Sequence, residues 1–215
     1  GAKVVSIPQG VDLDFYRSNQ KKLPADFIDL FIPKNKFIVT YAGTMGKANA
    51  LEYIIDAAKK LAIDKDNDVH FLFLGQGHLK DQLIEQAKDI GNITFAPAVM
   101  KEQVKAVLDL SNLLVASVRN EKIYRYGISL NKFIDYMYSR KPIVCMFSGY
   151  PSIINEANCG EFTPSEDVDS FVSAINKYRN MSTNELDSLG HNGHNYLVEK
   201  LNYQILGVKF MELFE

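Results

Sequence analysis

The sequence predicts an α/β fold in which a parallel sheet carries helices on both faces. Short segments that are apolar throughout alternate with segments whose apolar residues recur at helical spacing. This alternation is typical of strands that are buried on both faces by the helices connecting them. At least four strand–helix units follow one another between residues 37 and 150. We therefore expect a doubly wound, Rossmann-like domain.

The expected strands are rich in β-branched and aromatic residues and end at glycine or polar residues. They cover Phe37–Ala42, Val69–Leu74, 93–95, 113–118 and 142–147. The helices between them are expected to bury three apolar faces, formed by Leu51, Ile54, Ile55, Ala58 and Leu61, by Leu79, Leu83, Ile84 and Ala87, and by Val104, Val107 and Leu108.

The C-terminal part is expected to be helical. A short helix over 152–157 should end at Gly160, because glycine is common just beyond a helix. Longer helices are predicted over 165–179, beginning at Ser165, from Ser182 to about Lys200, and over 203–214.

The first 36 residues do not share this alternation and contain Pro24 and Pro33. They are interpreted as a linker outside the core, with a short strand at 4–7 and a turn at 8–12. The domain itself is assigned to 37–200 and a final helix to 201–215.

A helix beginning near residues 129–131 is the main candidate for ligand binding. Ligands of such sheets bind beyond the carboxyl ends of the strands, where the loops 43–47, 75–78, 96–100, 119–132 and 147–150 should meet. Ser129, Asn131 and Lys132 suit an anion at a helix N-terminus, and Asp135, one turn further on, suits a sugar diol. The alternative is an ordinary strand–helix connection whose helix is capped by Ser129 or Asn131.

Composition excludes several classes of protein. Hydrophobic residues make up 47% and charged residues 23%, and the net charge of −2 gives no electrostatic reason to expect a nucleic-acid partner. No apolar run reaches the ~18–20 residues that span a bilayer. Cys145 and Cys159 lie in or beside apolar segments and are expected to be buried thiols in a reducing compartment. The chain begins Gly-Ala, and we interpret it as part of a longer protein.

Five segments resemble, in order and spacing, the C-terminal, donor-binding domain of family 4, GT-B-type glycosyltransferases. They are IPQGVDLDFY, YAGTMGKANALEYIIDAA, FLFLGQGHLKDQL, NITFAPAVMKEQV and YGISLNKFIDYMYSRKPIV. The resemblance is greatest to bacterial polysaccharide enzymes that transfer aminosugars. It implies one half of a GT-B enzyme, with residues 1–36 as the interdomain linker and the last helix crossing to an N-terminal domain that this chain lacks.

The resemblance also implies roles for individual residues. The donor phosphates would be approached by the loop with Gly43, Thr44, Gly46 and Lys47, and the uracil by the backbone of Ala98, Val99 and Met100. Ser129, Asn131 and Lys132 would lie near the pyrophosphate and sugar, and Asp135 would bind the ribose hydroxyls.

The chain departs from the family pattern at three points. The arginine that is common after the first glycine is absent, with Thr44 and Met45 in its place. Leu130 replaces a proline. The first of two paired carboxylates is missing: the alignment puts Gly127 or Tyr124 there, and the nearest upstream carboxylate is Glu121.

The implied reaction is metal-free, retaining transfer of a hexose or N-acetylhexosamine from a nucleotide sugar, UDP-linked by resemblance. No cofactor is expected. The acceptor, a sugar or lipid-linked saccharide, and the general base would belong to the absent domain, so no catalytic residue is assigned. A cytoplasmic enzyme of surface-polysaccharide synthesis is expected, with peripheral membrane association of the full-length protein left open. Half of a sugar-nucleotide 2-epimerase and a non-catalytic Rossmann-like domain are the alternatives.

Several smaller features have two interpretations. Gly75-Gln76-Gly77 is either a phosphate loop or a tight turn, and Lys47 is either a phosphate ligand or a solvated surface residue. Tyr124 and Tyr126 either stack on a ligand or pack. His191 and His194 are expected to lie between helices without a metal, because no acidic or cysteine partner accompanies them.

Overall fold

A computed structural model describes residues 5–63 and 68–214 of the chain. It contains one six-stranded, wholly parallel sheet with the strand order β3-β2-β1-β4-β5-β6. The strands are β1 (Phe37–Ala42), β2 (Val69–Leu74), β3 (Ile93–Ala96), β4 (Leu113–Ser117), β5 (Ile143–Met146) and β6 (Gly160–Thr163). The expected doubly wound α/β fold is confirmed.

The α-helices among the described residues lie between and after these strands. They are α1 (Leu13–Ser18), α2 (Phe27–Phe31), α3 (Leu51–Ala62), α4 (Lys80–Ala87), α5 (Lys101–Leu108), α6 (Asn131–Tyr138), α7 (Ile153–Glu156), α8 (Val168–Arg179), α9 (Thr183–Lys200) and α10 (Tyr203–Met211). Single 3₁₀ turns occupy Lys47–Asn49 and Lys122–Tyr126. None of these helices has both the length and the apolar character needed to span a bilayer.

Each face of the sheet has its own hydrophobic core. In β1, Val39 and Tyr41 pack with α3, α4 and α8, whereas Ile38 and Ala42 pack with α5, α6 and α9. Successive strand side chains point to opposite faces of the sheet, and both sets are buried because helices cover both faces. Burial on both faces explains why the strand sequences are almost continuously apolar.

The N-terminal segment takes part in this core, which the sequence interpretation as a linker had missed. Val11, Leu13 and Phe27 are at most 4% exposed and pack with the α5–α6 side of the sheet. Val11 also exchanges backbone hydrogen bonds with Leu201 and Tyr203, at 2.8 and 3.0 Å. The expected strand at 4–7 lies partly outside the described residues, and residues 5–7 form no strand.

Other differences concern polar residues and element ends. Gly160 does not follow α7 as a cap but opens β6, a strand that the sequence analysis did not predict, and Asn158 takes the left-handed conformation instead (φ 49°). Asp167, not Ser165, caps α8, accepting a hydrogen bond from the Ser170 amide at 3.0 Å.

Two further expectations about the helices were wrong. His191 and His194 lie within α9 rather than between helices. Ile84, expected on the buried face of α4, is 41% exposed.

Candidate functional site

A cleft of about 570 Å³ lies at the carboxyl ends of β1 and β2. It is positioned where the strand order reverses: β1 pairs with β2 on one side and with β4 on the other. In doubly wound sheets the helices on either side of this point cover opposite faces, which leaves a crevice. The lining residues are Ala42, Gly43, Thr44, Leu74, Gly75, Gln76, Ala98, Val99, Lys101, Val104, Ser129, Leu130, Asn131, Lys132, Asp135 and Tyr136.

Most of the residues predicted from the sequence meet in this cleft. Its lining includes Gly43 and Thr44 after β1, Val99 after β3, and Ser129, Asn131, Lys132 and Asp135 at the start of α6. These residues are brought together by the parallel strands, because the loops that follow the carboxyl ends of the strands all lie at the same edge of the sheet.

Three predicted residues lie elsewhere. Met100 is 52% exposed at the start of α5, outside the cleft lining. Gly46 lies beside His78, where a Cβ would be 3.4 Å from His78 Cε1. Lys47 lines a second cleft of about 500 Å³, together with Arg119.

The N-terminus of α6 opens into the main cleft without a side-chain cap. Leu130, rather than Ser129 or Asn131, occupies the N-cap position, and no side chain accepts a hydrogen bond there. Ser129 Oγ instead lies 3.5 Å from Gln9 Oε1. The first amides of a helix have no intrahelical acceptor, so this uncapped end presents N–H donors to the cleft.

Lys132 is fixed in the cleft by neutral groups. Its Nζ donates hydrogen bonds to Tyr41 Oη at 2.9 Å and to Asn49 Oδ1 at 3.0 Å. Tyr41 Oη in turn donates to the Thr44 carbonyl at 2.6 Å, and Asn49 Nδ2 donates to the same oxygen at 2.9 Å. Lys132, Tyr41, Thr44 and Asn49 thus form a closed network that fixes the loop after β1.

The cation of Lys132 has no counter-ion within residues 5–63 and 68–214. No carboxylate of the described residues forms an ion pair with it. Burial lowers the pKa of the Lys132 ammonium to about 8, because a desolvated charge is disfavoured. An anion in the cleft would supply the missing partner.

Gly43 and Gly75 allow the loops to approach one another beside this cation. Gly43 has φ +149°, and a Cβ there would lie 3.2 Å from Lys132 Cε and 3.3 Å from its Nζ. Gly75 has φ +143°, and its Cβ would lie 2.1 Å from the Gly43 carbonyl oxygen. Lys80 fixes the neighbouring loops by donating to the carbonyls of Gly75 and Ala96, both at 3.0 Å.

Asp135 lies one turn into α6, and its side chain is 16% exposed. Its Oδ1 accepts a hydrogen bond of 2.6 Å from the hydroxyl of Tyr16 and forms an ion pair with Lys101. Neither partner was singled out in the sequence: Tyr16 lies in the segment interpreted as a linker, and Lys101 directly follows the predicted Met100. Oδ2 of Asp135 has no hydrogen-bond partner among the described residues.

The second cleft contains the nearest upstream carboxylate, Glu121. Glu121 precedes the Lys122–Tyr126 turn and lines this cleft with Tyr124, not the main one. Arg119 forms ion pairs there with Glu52 and, at 4.0 Å, with Glu166. The structure therefore gives the main cleft a single carboxylate, that of Asp135, among the residues described.

The two cysteines are buried free thiols in the core of the domain. Cys145 and Cys159 are buried and free, and burial raises the pKa of each thiol to about 12. Within residues 5–63 and 68–214, no three His, Cys, Asp or Glu side chains are grouped so as to hold a metal ion.

Comparisons with known proteins bear on the family and the fold of the chain. The sequence model of the family described as "Glycosyl transferases group 1" matches residues 24–196. A curated relative, the putative colanic acid biosynthesis glycosyl transferase WcaI of Escherichia coli K12, is 33% identical over 85 residues, which is 39% of this chain and 20% of the relative.

Solved glycosyltransferase structures share the fold. A glycosyltransferase from Rickettsia africae matches with a TM-score of 0.76 and 14% identity, over 98% of this chain and 56% of that one. HepE of Anabaena, in complex with UDP-glucose, matches with a TM-score of 0.69 and 15% identity, over 95% and 55%. TarM of S. aureus, solved with UDP, matches with a TM-score of 0.68 and 21% identity, over 85% and 37%. The chain thus spans about one fifth of WcaI and between a third and three fifths of these structures.

Proposed function

The chain belongs to the glycosyl transferases group 1 family, and we propose that it binds the nucleotide-sugar donor of a retaining glycosyltransferase. The observation that carries this proposal is Lys132, a desolvated cation that forms no ion pair with any carboxylate in the described part of the chain, beside the uncapped N-terminus of α6. Such an arrangement is complementary to a diphosphate. The family match favours this function over the epimerase and the non-catalytic domain.

The remaining parts of the donor fit the cleft in a definite order. The diphosphate contacts the α6 amides, Lys132 and the backbone of Gly43. The ribose diol donates hydrogen bonds to Asp135 Oδ2. The base lies against the backbone of Ala98 and Val99, both of which line the cleft. We favour a UDP-linked donor, since TarM and HepE were solved with UDP or UDP-glucose.

The chemical task of these residues is to stabilise the leaving group. Negative charge develops on the diphosphate as the bond to the sugar breaks, and preorganised donors lower the energy of that state. Lys132 and the α6 amides supply fixed positive potential without further rearrangement. The carboxylate of Asp135 orients the nucleoside and takes no part in bond cleavage.

A second domain completes the enzyme in this proposal. Helix α10 exposes Val208 (61%) and Met211 (62%), and Phe214 just beyond it is 73% exposed, so apolar side chains are accessible at this end of the domain. The proposed N-terminal domain covers this surface, carries the acceptor site and supplies the general base. Synthesis of a surface polysaccharide is the role we favour, since WcaI is described as a putative colanic acid biosynthesis enzyme.

Calorimetric titration of the chain with UDP, GDP and ADP tests the donor assignment. We expect UDP to bind with a Kd between micromolar and millimolar and the purine nucleotides to bind more weakly. The variant K132M should lose most of the affinity, whereas K177M, which alters a lysine on the surface of α8, should retain it. Absence of UDP binding at millimolar concentrations would contradict the assignment.

Transfer activity is tested separately. The chain alone should not release UDP from UDP-glucose or UDP-N-acetylglucosamine in the presence of a saccharide acceptor. Multiple turnovers by this chain would show that no second domain is required.

A further inference from the structure

The hydroxyl of Tyr16 reaches the proposed ribose site from a segment outside the β–α repeats. Tyr16 and Asp135 are 119 positions apart in the chain, yet their side chains form a hydrogen bond of 2.6 Å. Tyr16 lies on α1, and Asp135 lies one turn into α6. Folding of the N-terminal segment onto the sheet is therefore needed to complete this contact.

Helix α1 is held firmly enough to position the tyrosine. Asp12 caps it by accepting a hydrogen bond of 3.0 Å from the Phe15 amide. Leu13, at its start, is 4% exposed. The Tyr16 ring packs edge-on against Tyr138, with ring centroids 4.6 Å apart. Since Tyr138 belongs to the same helix as Asp135, the ring and the hydroxyl of Tyr16 both contact α6.

Two donors converge on one oxygen of the carboxylate. Tyr16 and Lys101 both bind Asp135 Oδ1, which leaves Oδ2 without a protein partner among the described residues. Asp135 lines the main cleft and also a small cavity on the side of Tyr16 and Lys101. A carboxylate held by one oxygen in this way has a restricted side-chain rotation, so its second oxygen keeps one orientation.

We propose that Tyr16 is a positioning residue that fixes the Asp135 carboxylate so that its free oxygen accepts hydrogen bonds from a ribose diol. This inference rests on the proposed function and adds a source of selectivity to it. A fixed acceptor discriminates strongly between a ribonucleotide and its deoxy analogue, because the carboxylate cannot turn away when one hydroxyl is missing. A carboxylate that is free to rotate loses rotational entropy when either ligand binds, so it discriminates less between the ribonucleotide and its deoxy analogue.

The test compares UDP with 2′-deoxy-UDP and 3′-deoxy-UDP in the wild-type chain and in Y16F. A hydrogen bond to a charged group corresponds to roughly 10–100-fold in affinity, so the wild type should prefer UDP to at least one deoxy analogue by about tenfold or more. Y16F, which keeps the ring that packs on Tyr138, should reduce this preference at least threefold. Its affinity for the disfavoured deoxy analogue should change less than its affinity for UDP.

Y196F is the matched control. Tyr196 also donates its hydroxyl to a carboxylate, that of Glu156, on the α7–α9 side of the protein and away from the cleft. Y196F should keep the wild-type preference, and D135N should lose it whether or not Tyr16 is present. Thermal melting establishes that each variant is folded.

The outcomes separate this inference from the proposed function. An unchanged preference in folded Y16F, with UDP still bound, overturns the role of Tyr16 alone. A wild-type chain that binds UDP and both deoxy analogues equally well overturns the ribose contact of Asp135 and with it the role of Tyr16. A wild-type chain that binds no UDP overturns the proposed function itself.

Discussion

The ammonium of Lys132 lies 4.1 Å from the centroid of the Tyr41 ring and donates a hydrogen bond of 2.9 Å to the hydroxyl of that tyrosine. The aromatic ring and the hydroxyl stabilise the cation only partly, because neither carries a full negative charge. The lysine is thus kept in the cleft with a lowered pKa. The lowered pKa of Lys132 should therefore affect both nucleotide binding and the stability of the fold.

Nucleotide binding should depend on pH through Lys132. The free chain has a Lys132 pKa of about 8, and a bound diphosphate should raise that pKa, because an opposite charge favours the protonated form. Affinity for UDP should therefore be nearly constant over about one unit below pH 8 and fall above it, by up to ~10-fold per pH unit.

Calorimetry in buffers of different ionisation enthalpy should detect proton uptake on binding near pH 8. In K132R the uptake should disappear, because arginine remains protonated. Equal proton uptake by K132R and the wild type would assign the titration to another group.

Replacing Lys132 by methionine should stabilise the chain while weakening ligand binding. The pKa of this group is lower in the folded state than the usual 10.5, so folding is opposed while the lysine is charged. The penalty is fully present below pH 8 and decreases as the pH rises toward 10.5. Below pH 8, K132M should raise the free energy of unfolding by about 1–3 kcal/mol.

Denaturant unfolding at pH 7 and pH 9.5 measures this effect. The advantage of K132M over the wild type should shrink at the higher pH. A K132M chain that is less stable than the wild type at both values would mean that the hydrogen bonds to Tyr41 and Asn49 outweigh the desolvation of the charge.

G43A should displace the Lys132 ammonium and reduce nucleotide affinity. The new Cβ would lie 3.2 Å from Lys132 Cε, at a backbone φ of +149° that L residues rarely adopt. We expect an affinity for UDP about tenfold lower and a free energy of unfolding about 1–2 kcal/mol lower. G91A is the control, since a Cβ at Gly91 meets nothing within 4 Å. Wild-type affinity in G43A would show that the loop tolerates the methyl group and that the ammonium need not occupy this position.

Y136F should destabilise the junction between β1 and β4. Ladder pairing of these strands is limited to Val39–Leu113 and Thr40–Leu114. Beyond it, the buried Tyr136 hydroxyl accepts from the Ala42 amide at 2.9 Å and donates to the Val115 carbonyl at 3.0 Å. Phenylalanine leaves these buried groups unpaired, so the free energy of unfolding should fall by about 1–3 kcal/mol.

Chemical denaturation of Y136F and Y196F compares the loss of a hydroxyl bonded to buried backbone groups with the loss of one bonded to an exposed carboxylate. The hydroxyl of the partly buried Tyr196 donates to the exposed carboxylate of Glu156, where water can replace it, so its loss should cost less than about 1 kcal/mol. Equal losses in the two variants would mean that water replaces the Tyr136 hydroxyl.

The sequence by itself determined the α/β class, five of the strands and the edge at which the site lies. Strands such as Phe37–Ala42 are almost wholly apolar because helices cover both of their faces. A continuous apolar segment of this kind can be recognised in the sequence without knowledge of distant residues. The position of Ser129, Asn131, Lys132 and Asp135 at a helix start was likewise readable from spacing. Parallel pairing then requires that these loops converge with Gly43 and Val99.

Tertiary structure alone decided the parts that depend on distant partners. β6 contains Glu161 and is only partly buried, so it is a strand through its pairing with β5 rather than through its own composition. Tyr16 lies in a segment without periodicity, and its hydrogen bond to Asp135 depends on the packing of α1 beside α6. Likewise, the lowered pKa of Lys132 depends on burial beside Tyr41, because desolvation depends on the surrounding atoms in space and not on neighbouring residues in the chain.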